Sequence, residues 1–293
     1  MTIWRGWAPW RGTTRLMSAL ALAFAWRVEA QGRTATPVLE AFDFRDSAAV
    51  QVLLPHRLRE ISGLAVSADG RLFAHGDETG VISELNPLTG VIERRFSLGK
   101  PAIRDDFEGI AIAGDRFFLI TSTGRLYEAR EGARGDGVPF TAVDTGFGAL
   151  CEIEGLAYEP LDRVLLIGCK QELAARRRGQ VTIFRWSLER AAPAIPASIT
   201  IDVPSASGST ESKNTRVSSI EVDPRTGHYV VIAGPHWQLI ELTREGHFVA
   251  ARKLSRPLHA QPEGLTFLGD SLLLVGGEGG KGRARLTLYH RAP

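Results

Sequence analysis

Phe107-Glu108-Gly109-Ile110-Ala111, Ile153-Glu154-Gly155-Leu156-Ala157 and Pro262-Glu263-Gly264-Leu265-Thr266 are three copies of one phrase: an acid, a glycine, then a branched apolar residue. Ile61-Ser62-Gly63-Leu64-Ala65 is a softened copy, and Val217-Ser218-Ser219-Ile220-Glu221 a more degraded one. Their central residues, Gly63, Gly109, Gly155, Ser219 and Gly264, follow one another at 46, 46, 64 and 45 residues. Recurrence at about 40–50 residues is the mark of a propeller or a solenoid.

Each copy opens a set of short β-rich runs separated by turn signals. After the first copy come Arg71–His75, Val81–Leu85 and Val91–Leu98, with turns at Ala68-Asp69-Gly70 and Asn86-Pro87-Leu88-Thr89-Gly90. The next three copies repeat this layout, but the fifth stops one strand short. The earlier run Ala49–Leu54 precedes the first copy and has no unit of its own. These runs predict an all-β chain, a β-propeller of five four-stranded blades, in which the N-terminal strand completes the last blade and closes the ring. Six blades is the alternative, if the strand-like piece Val38–Phe44 and the long third repeat hide another unit. The excess of the third repeat falls in two polar stretches, residues 170–179 and 204–216, which predict loops over one face.

Residues 1–30 differ from the rest. Arg5, Arg11 and Arg15 precede an apolar run from Leu16 to Trp26, and Val28-Glu29-Ala30 offers small residues three apart. This is the layout of a signal peptide cleaved after Ala30. The run is short of the ~20 residues that span a bilayer. Residues 31–293 then form a single propeller domain, exported to the periplasm or secreted, with no transmembrane segment. Residues 1–30 carry a net +3, so the remainder carries −1 of the chain's +2. Such a balance excludes an electrostatic footprint for nucleic acid. A monomer is expected. Cys151 and Cys169 flank a predicted hairpin turn at Glu159–Asp162, and export permits a bridge. The open alternatives are a disulfide and two small buried hydrophobes.

In a propeller the first strand of each blade lies nearest the axis, so Glu108, Glu154 and Glu263 are expected to converge at one mouth of the channel. Glu60, Asp106 and Glu152 lie just upstream of the copies. At ~4 Å and an effective dielectric of about 20, each like-charged pair costs on the order of 4 kcal/mol. Protons, a basic side chain, backbone N–H groups or a cation must offset that. Hard oxygen ligands without His or Cys suit Ca²⁺, and Mg²⁺ less well. The plainer reading is that each Glu only staples neighbouring blades. Glycine after each acid lets the backbone approach the axis closely. The second strands return to the same mouth, bringing Asp77, Glu78, Lys170, His236 and Glu278. Lys170 is the counter-charge that would stand in for a metal. His75, His236 and His259 are candidates for proton transfer. No nucleophile elbow, zinc-protease motif or phosphate loop is present.

At Glu60–Leu64, Asp106–Ile110, Glu152–Leu156 and Gln261–Leu265 the chain resembles the SdiA-regulated family of exported bacterial β-propellers, over about Ala49–Tyr289. That resemblance implies a cell-envelope propeller with a bound divalent cation. The phrase also looks like the Glu-Gly-Pro strand of gluconolactonase and paraoxonase propellers, whose Glu holds catalytic Ca²⁺, and more distantly like esterase-like phytase propellers. Two readings follow, beside a structural one in which the ring docks proteins and holds no ligand. One is a binding module with a Ca²⁺-type site and a small or polymeric ligand. The other is a Ca²⁺-dependent hydrolase of esters, lactones or phosphoesters, with His236 or His259 moving the proton.

Overall fold

A computed structural model describes residues 36–173, 180–202 and 216–292. The expected signal segment, most of the first polar stretch and nearly all of the second lie outside them.

The described chain is almost wholly β, with only short 3₁₀ turns between strands. Blade 1 is β2 (Ile61–Val66), β3 (Leu72–Gly76), β4 (Val81–Leu85) and β5 (Ile92–Leu98). Blade 2 is β6 (Phe107–Ala113), β7 (Arg116–Thr121), β8 (Arg125–Arg130) and β10 (Phe140–Asp144). Blade 3 is β11 (Cys151–Glu159), β12 (Val164–Glu172), β13 (Gln180–Ser187) and β14 (Ala192–Asp202). Blade 4 is β15 (Val217–Val222), β16 (Tyr229–Ala233), β17 (Gln238–Leu242) and β18 (Phe248–Lys253). Blade 5 is β19 (Pro262–Leu268), β20 (Leu272–Gly277) and β21 (Arg285–His290), completed by β1 (Val50–Leu53). β1 pairs antiparallel with β21, Val50 opposite Leu288 and Leu53 opposite Arg285. The ring is therefore five blades, closed as expected, and the six-blade alternative falls.

Two features depart from the expectation. The piece Val38–Phe44 is not a strand. It forms a 3₁₀ turn at Val38–Glu40 and a single bridge from Phe42 to Arg291. The reason is Glu241, fully buried on β17, whose carboxylate accepts the N–H groups of Val38 and Leu39 at 2.9 and 3.0 Å. With those donors spent, Val38 and Leu39 pack into the core between blades 4 and 5. The second is a two-residue strand, β9 (Gly137–Val138), which leaves blade 2 to pair in parallel with β5 and gives blade 1 a fifth strand.

The core sits between blades. The two faces of each sheet pack against the two neighbours: Leu64 joins a cluster with blade 5, and Ala65 one with blade 2. The inner strands β2, β6, β11, β15 and β19 follow one another round the axis. The repeated glycine lets them meet. A Cβ on Gly109 would stand 2.7 Å from Leu156 N, and one on Gly155 would stand 3.0 Å from Ser219 Cα. One on Gly264 would stand 2.8 Å from Leu64 Cγ. The close approach served by these glycines is from blade to blade, not from backbone to axis. At Gly155 a φ of +92° adds a second reason for glycine.

Candidate functional site at the channel mouth

The phrase encodes the same irregularity in every blade. In β2, Ile61 pairs with Gly76 and Gly63 with His75, leaving Ser62 without a partner. Glu108 is skipped likewise between Phe107 and Gly109, Ser218 between Val217 and Ser219, and Glu263 between Pro262 and Gly264. In β11 the register breaks across Glu154 and Gly155. Each is a β-bulge, which bends the strand and re-aims one side chain. Five bulges thus present Ser62, Glu108, Glu154, Ser218 and Glu263 in ring order.

The structure brings Glu154 into electrostatic reach of both Glu108 and Glu263. Glu154 is 4% exposed. Its carboxyl group and that of Glu263 lie close enough to share a proton, and burial drives both above the usual carboxylate range. For Glu263 the neighbouring Glu154 charge adds to burial. Burial and then the charge of Glu154 push Glu108 up to about 8. The Ser62 hydroxyl donates to Glu108 Oε2 at 3.1 Å. Ser218 turns its hydroxyl to Pro262 O, at 2.7 Å, and ties blade 4 to blade 5.

Lys170 supplies the positive charge. Its Nζ lies 3.2 Å from Glu152 Oε1 and 3.1 Å from Glu154 Oε2. Glu154 Oε2 is buried, with this ammonium beside it. These carboxylates hold the Lys170 ammonium well above its ordinary range against the opposing effect of burial. The disulfide Cys151–Cys169, with Cα atoms 5.8 Å apart, clamps the start of β11 to the stretch of β12 that carries Lys170. It joins the residues on either side of the acid–lysine contact.

Beside this group lies a second acidic set. Asp77 and Glu278 are raised by burial and, next, by neighbouring carboxylates: Glu60 acts on Asp77, and Asp77 with Glu60 on Glu278. Glu60 is paired with Arg59 at 2.6 Å, and Glu78 with Arg104 at 2.8 Å on the surface. Asp106 accepts from Ser122 on β7's exit.

The histidines are placed elsewhere. His75 is buried, its ring over Gly63, and burial drives it down to about 4. His259 is buried and hydrogen-bonded through Nε2 to the Tyr289 hydroxyl at 2.7 Å, with its pKa also lowered by burial to about 4. Neither is among the groups that line the pocket over the acids. His236 stands exposed on the 3₁₀ turn after β16.

That pocket encloses about 270 Å³ and is walled by Glu154, Lys170, Glu263, Gln261, Arg216 and Trp237, among others. Trp237 is the residue the sequence did not single out by itself. It has φ +48°, a left-handed backbone that a bulky residue rarely adopts. Its Nε1 donates to His259 O at 2.6 Å, and the Arg256 guanidinium lies 4.1 Å from its ring centroid. Strain held at an aromatic platform over an acid–lysine set is the kind of feature that clusters at ligand sites. The sequence signal is the His236-Trp237 pair at the exit of the second strand, of which the histidine is the more obvious chemical group.

A larger cavity, about 730 Å³, opens at the other end of the channel. Its charged groups are mostly committed. Glu159 accepts from Leu161 and Asp162 N–H groups and pairs with Arg244; Asp223 pairs with Arg291 and caps its own turn. The first mouth is the chemically equipped one.

Among the described residues no three His, Cys, Asp or Glu side chains stand ready as a metal cage. The donor set does fit a hard cation in kind: carboxylate oxygens from three blades, offset by the Lys170 ammonium, the Ser62 hydroxyl and protons.

The fold and mouth define a five-bladed β-propeller with a buried acid cluster. No family model and no curated protein matches the chain. Solved structures do. A glutaminyl cyclase from Myxococcus xanthus is similar at a TM-score of 0.56 and 13% identity, over 84% of this chain and 97% of that one. Virginiamycin B lyase from Staphylococcus aureus is similar at 0.44 and 12%, over 82% and 69%. A Bacteroides caccae protein of unknown function is similar at 0.42 and 16%, over 70% and 64%, so the chain covers just under two thirds of it. The likeness to the glutaminyl cyclase is one of fold.

Proposed function

We propose that this chain is an exported binding propeller whose acidic mouth takes a hard divalent cation of the Ca²⁺ type, and with it a small or polymeric ligand. One observation carries the reading: Glu108, Glu154 and Glu263, aimed inward by bulges in three blades, are buried near one another, and burial raises all three above the usual carboxylate range. Where a cation binds, these three would hold it, and it would supply a positive centre for a ligand oxygen. Lys170 is the protein's own substitute for that charge. Trp237 and the pocket beside it give the ligand an aromatic wall. The resemblance of the phrase to the SdiA-regulated propellers supports the same reading, and the disulfide suits an oxidising compartment.

The test is calorimetric titration with CaCl₂ and MgCl₂ at pH 6 and pH 8.5, with metal analysis of the purified protein. Tighter Ca²⁺ binding at the higher pH, lost in Glu154→Gln and strengthened in Lys170→Met, is expected. Absence of binding at both pH values would overturn it. Chelator-sensitive turnover of an ester, lactone or phosphoester panel, lost in Glu154→Gln, would replace the binder with the hydrolase.

A further inference from the structure

Blade 1 carries basic side chains on its outer side, and two of them, Arg57 and Arg95, also line a cavity with Glu60, Asp77 and Glu78 of the second acidic set. A groove of about 570 Å³ is lined by the apolar residues Val81, Ile92 and Phe96 and by three arginines, Arg57, Arg95 and Arg134. Arginines elsewhere on this blade are matched. Arg94, next to Arg95 in sequence, is bound by Glu84 and Glu131, and Arg71 by Asp69 and Glu131. Among the described residues no carboxylate forms an ion pair with Arg57, Arg95 or Arg134. The Nε of Arg95 is buried with no hydrogen-bond partner. Burial and then the charge of Arg57 lower the Arg95 pKa. A buried guanidinium N–H without an acceptor, beside a like charge, is costly unless a ligand completes it.

The architecture holds this arrangement in place. Arg134 comes from the connection between β8 and β10 that lays β9 against β5. That connection is fastened by its backbone: Gly135 N–H donates to Arg95 O at 2.7 Å, and Ser97 N–H to Asp136 O at 2.9 Å. Arg134 itself donates to Glu93 O. The extra strand of blade 1 therefore carries a third guanidinium to the two already there. Asp136 is the one acid on the rim, and its carboxylate accepts Ala133 N–H at 2.9 Å.

We propose that this groove binds an organic phosphate monoester, its phosphate against Arg57, Arg95 and Arg134 and its organic part along Val81, Ile92 and Phe96. Guanidinium forks match tetrahedral oxyanions in bidentate fashion. Within the groove, three positive charges against one rim acid leave a surplus that a dianion cancels and a monocarboxylate does not; of the acids in the adjoining cavity, Glu60 pairs with Arg59 and Glu78 with Arg104. The site shares no residue with the acid cluster, so it stands or falls independently of the cation proposed there.

The experiment is calorimetric titration of the full chain with phenyl phosphate, inorganic phosphate and benzoate at pH 7.5, at low and high salt. Phenyl phosphate is expected to bind tightest and to weaken with salt. Its affinity should fall roughly tenfold or more in Arg95→Gln and in Arg134→Ala, the loss expected for one charge-assisted hydrogen-bonding partner. Arg134 is exposed, so Arg134→Ala keeps the fold, checked by an unchanged unfolding temperature. Glu154→Gln should leave the phosphate affinity unchanged. Equal affinity in the arginine variants would overturn the site, as would no binding of phenyl phosphate. Benzoate or inorganic phosphate binding as tightly as phenyl phosphate would overturn the assigned ligand class.

Discussion

A Cβ placed on Gly109 of β6 would stand 2.7 Å from the backbone nitrogen of Leu156 on β11. Two inner strands are thus in contact through a position that has no side chain, and the obstacle is backbone that cannot rotate away. Gly109→Ala should therefore cost about 1–3 kcal/mol, as overpacking does. That amounts to an unfolding midpoint lower by roughly 2–12 °C for a domain of this size. Gly264→Ala should cost less, because its nearest obstacle is the Leu64 side chain at 2.8 Å. Thermal unfolding of the two variants, followed by circular dichroism, checks the order.

Stability should fall with rising pH when no divalent cation is present. Glu108 titrates near 8 in the folded protein, against 4.5 ordinarily. Above 4.5 the unfolded chain gives up that proton while the folded one keeps it, so the native state binds more protons and is penalised progressively up to about pH 8. Glu263 extends the trend in the same direction. Unfolding midpoints measured from pH 5 to 9 in chelator should decline, and Glu108→Gln should flatten the slope. A flat profile in the unaltered protein would contradict the buried protons.

Removing the disulfide should cost about 3 kcal/mol by loop entropy, since it closes a separation of 18 residues. It should also loosen the Lys170–Glu154 contact next to it. Cys151→Ser/Cys169→Ser is expected to unfold at lower temperature. If the cation site is present, its affinity should change in the same variant. Unchanged denaturant midpoints with and without reductant would refute the structural part.

Glu241 is the buried anchor of the N-terminal segment. Glu241→Ala leaves two backbone N–H groups at Val38 and Leu39 without an acceptor and takes the partner from His228 Nδ1, 2.6 Å away. Orphaned buried donors cost about 1–3 kcal/mol each. The variant should be cut by protease near residues 36–48 well before the rest of the ring, as mass spectrometry of the fragments would show.

The blade count was legible because the repeated phrase fixes one innermost strand per blade, and Ala49–Leu54 had no other unit to join. The convergence of Glu108, Glu154 and Glu263 followed from the same repeat. The bulges were not legible, since a bulge is a property of how two strands are paired and not of either alone. That is why Ser62 and Ser218 read as decay of the phrase when they occupy the same turned-in position as the acids. β9 escaped notice because Gly137 and Val138 carry no period of two residues over so short a span. The turn at Val38 was misread because its apolar residues look alike whether they lie in a strand or cover a core. What decides between the two is Glu241, some 200 residues away along the chain.

The closing pair of β1 and β21 has a consequence for synthesis. Blade 5 draws on both ends of the described chain, so a nascent polypeptide can complete four blades yet leaves β1 without its partner until residues 285–290 emerge. A truncation of only that last strand would deprive β1 of its partner and leave β20 with a bare edge, and such a product is expected to associate edge to edge with its copies.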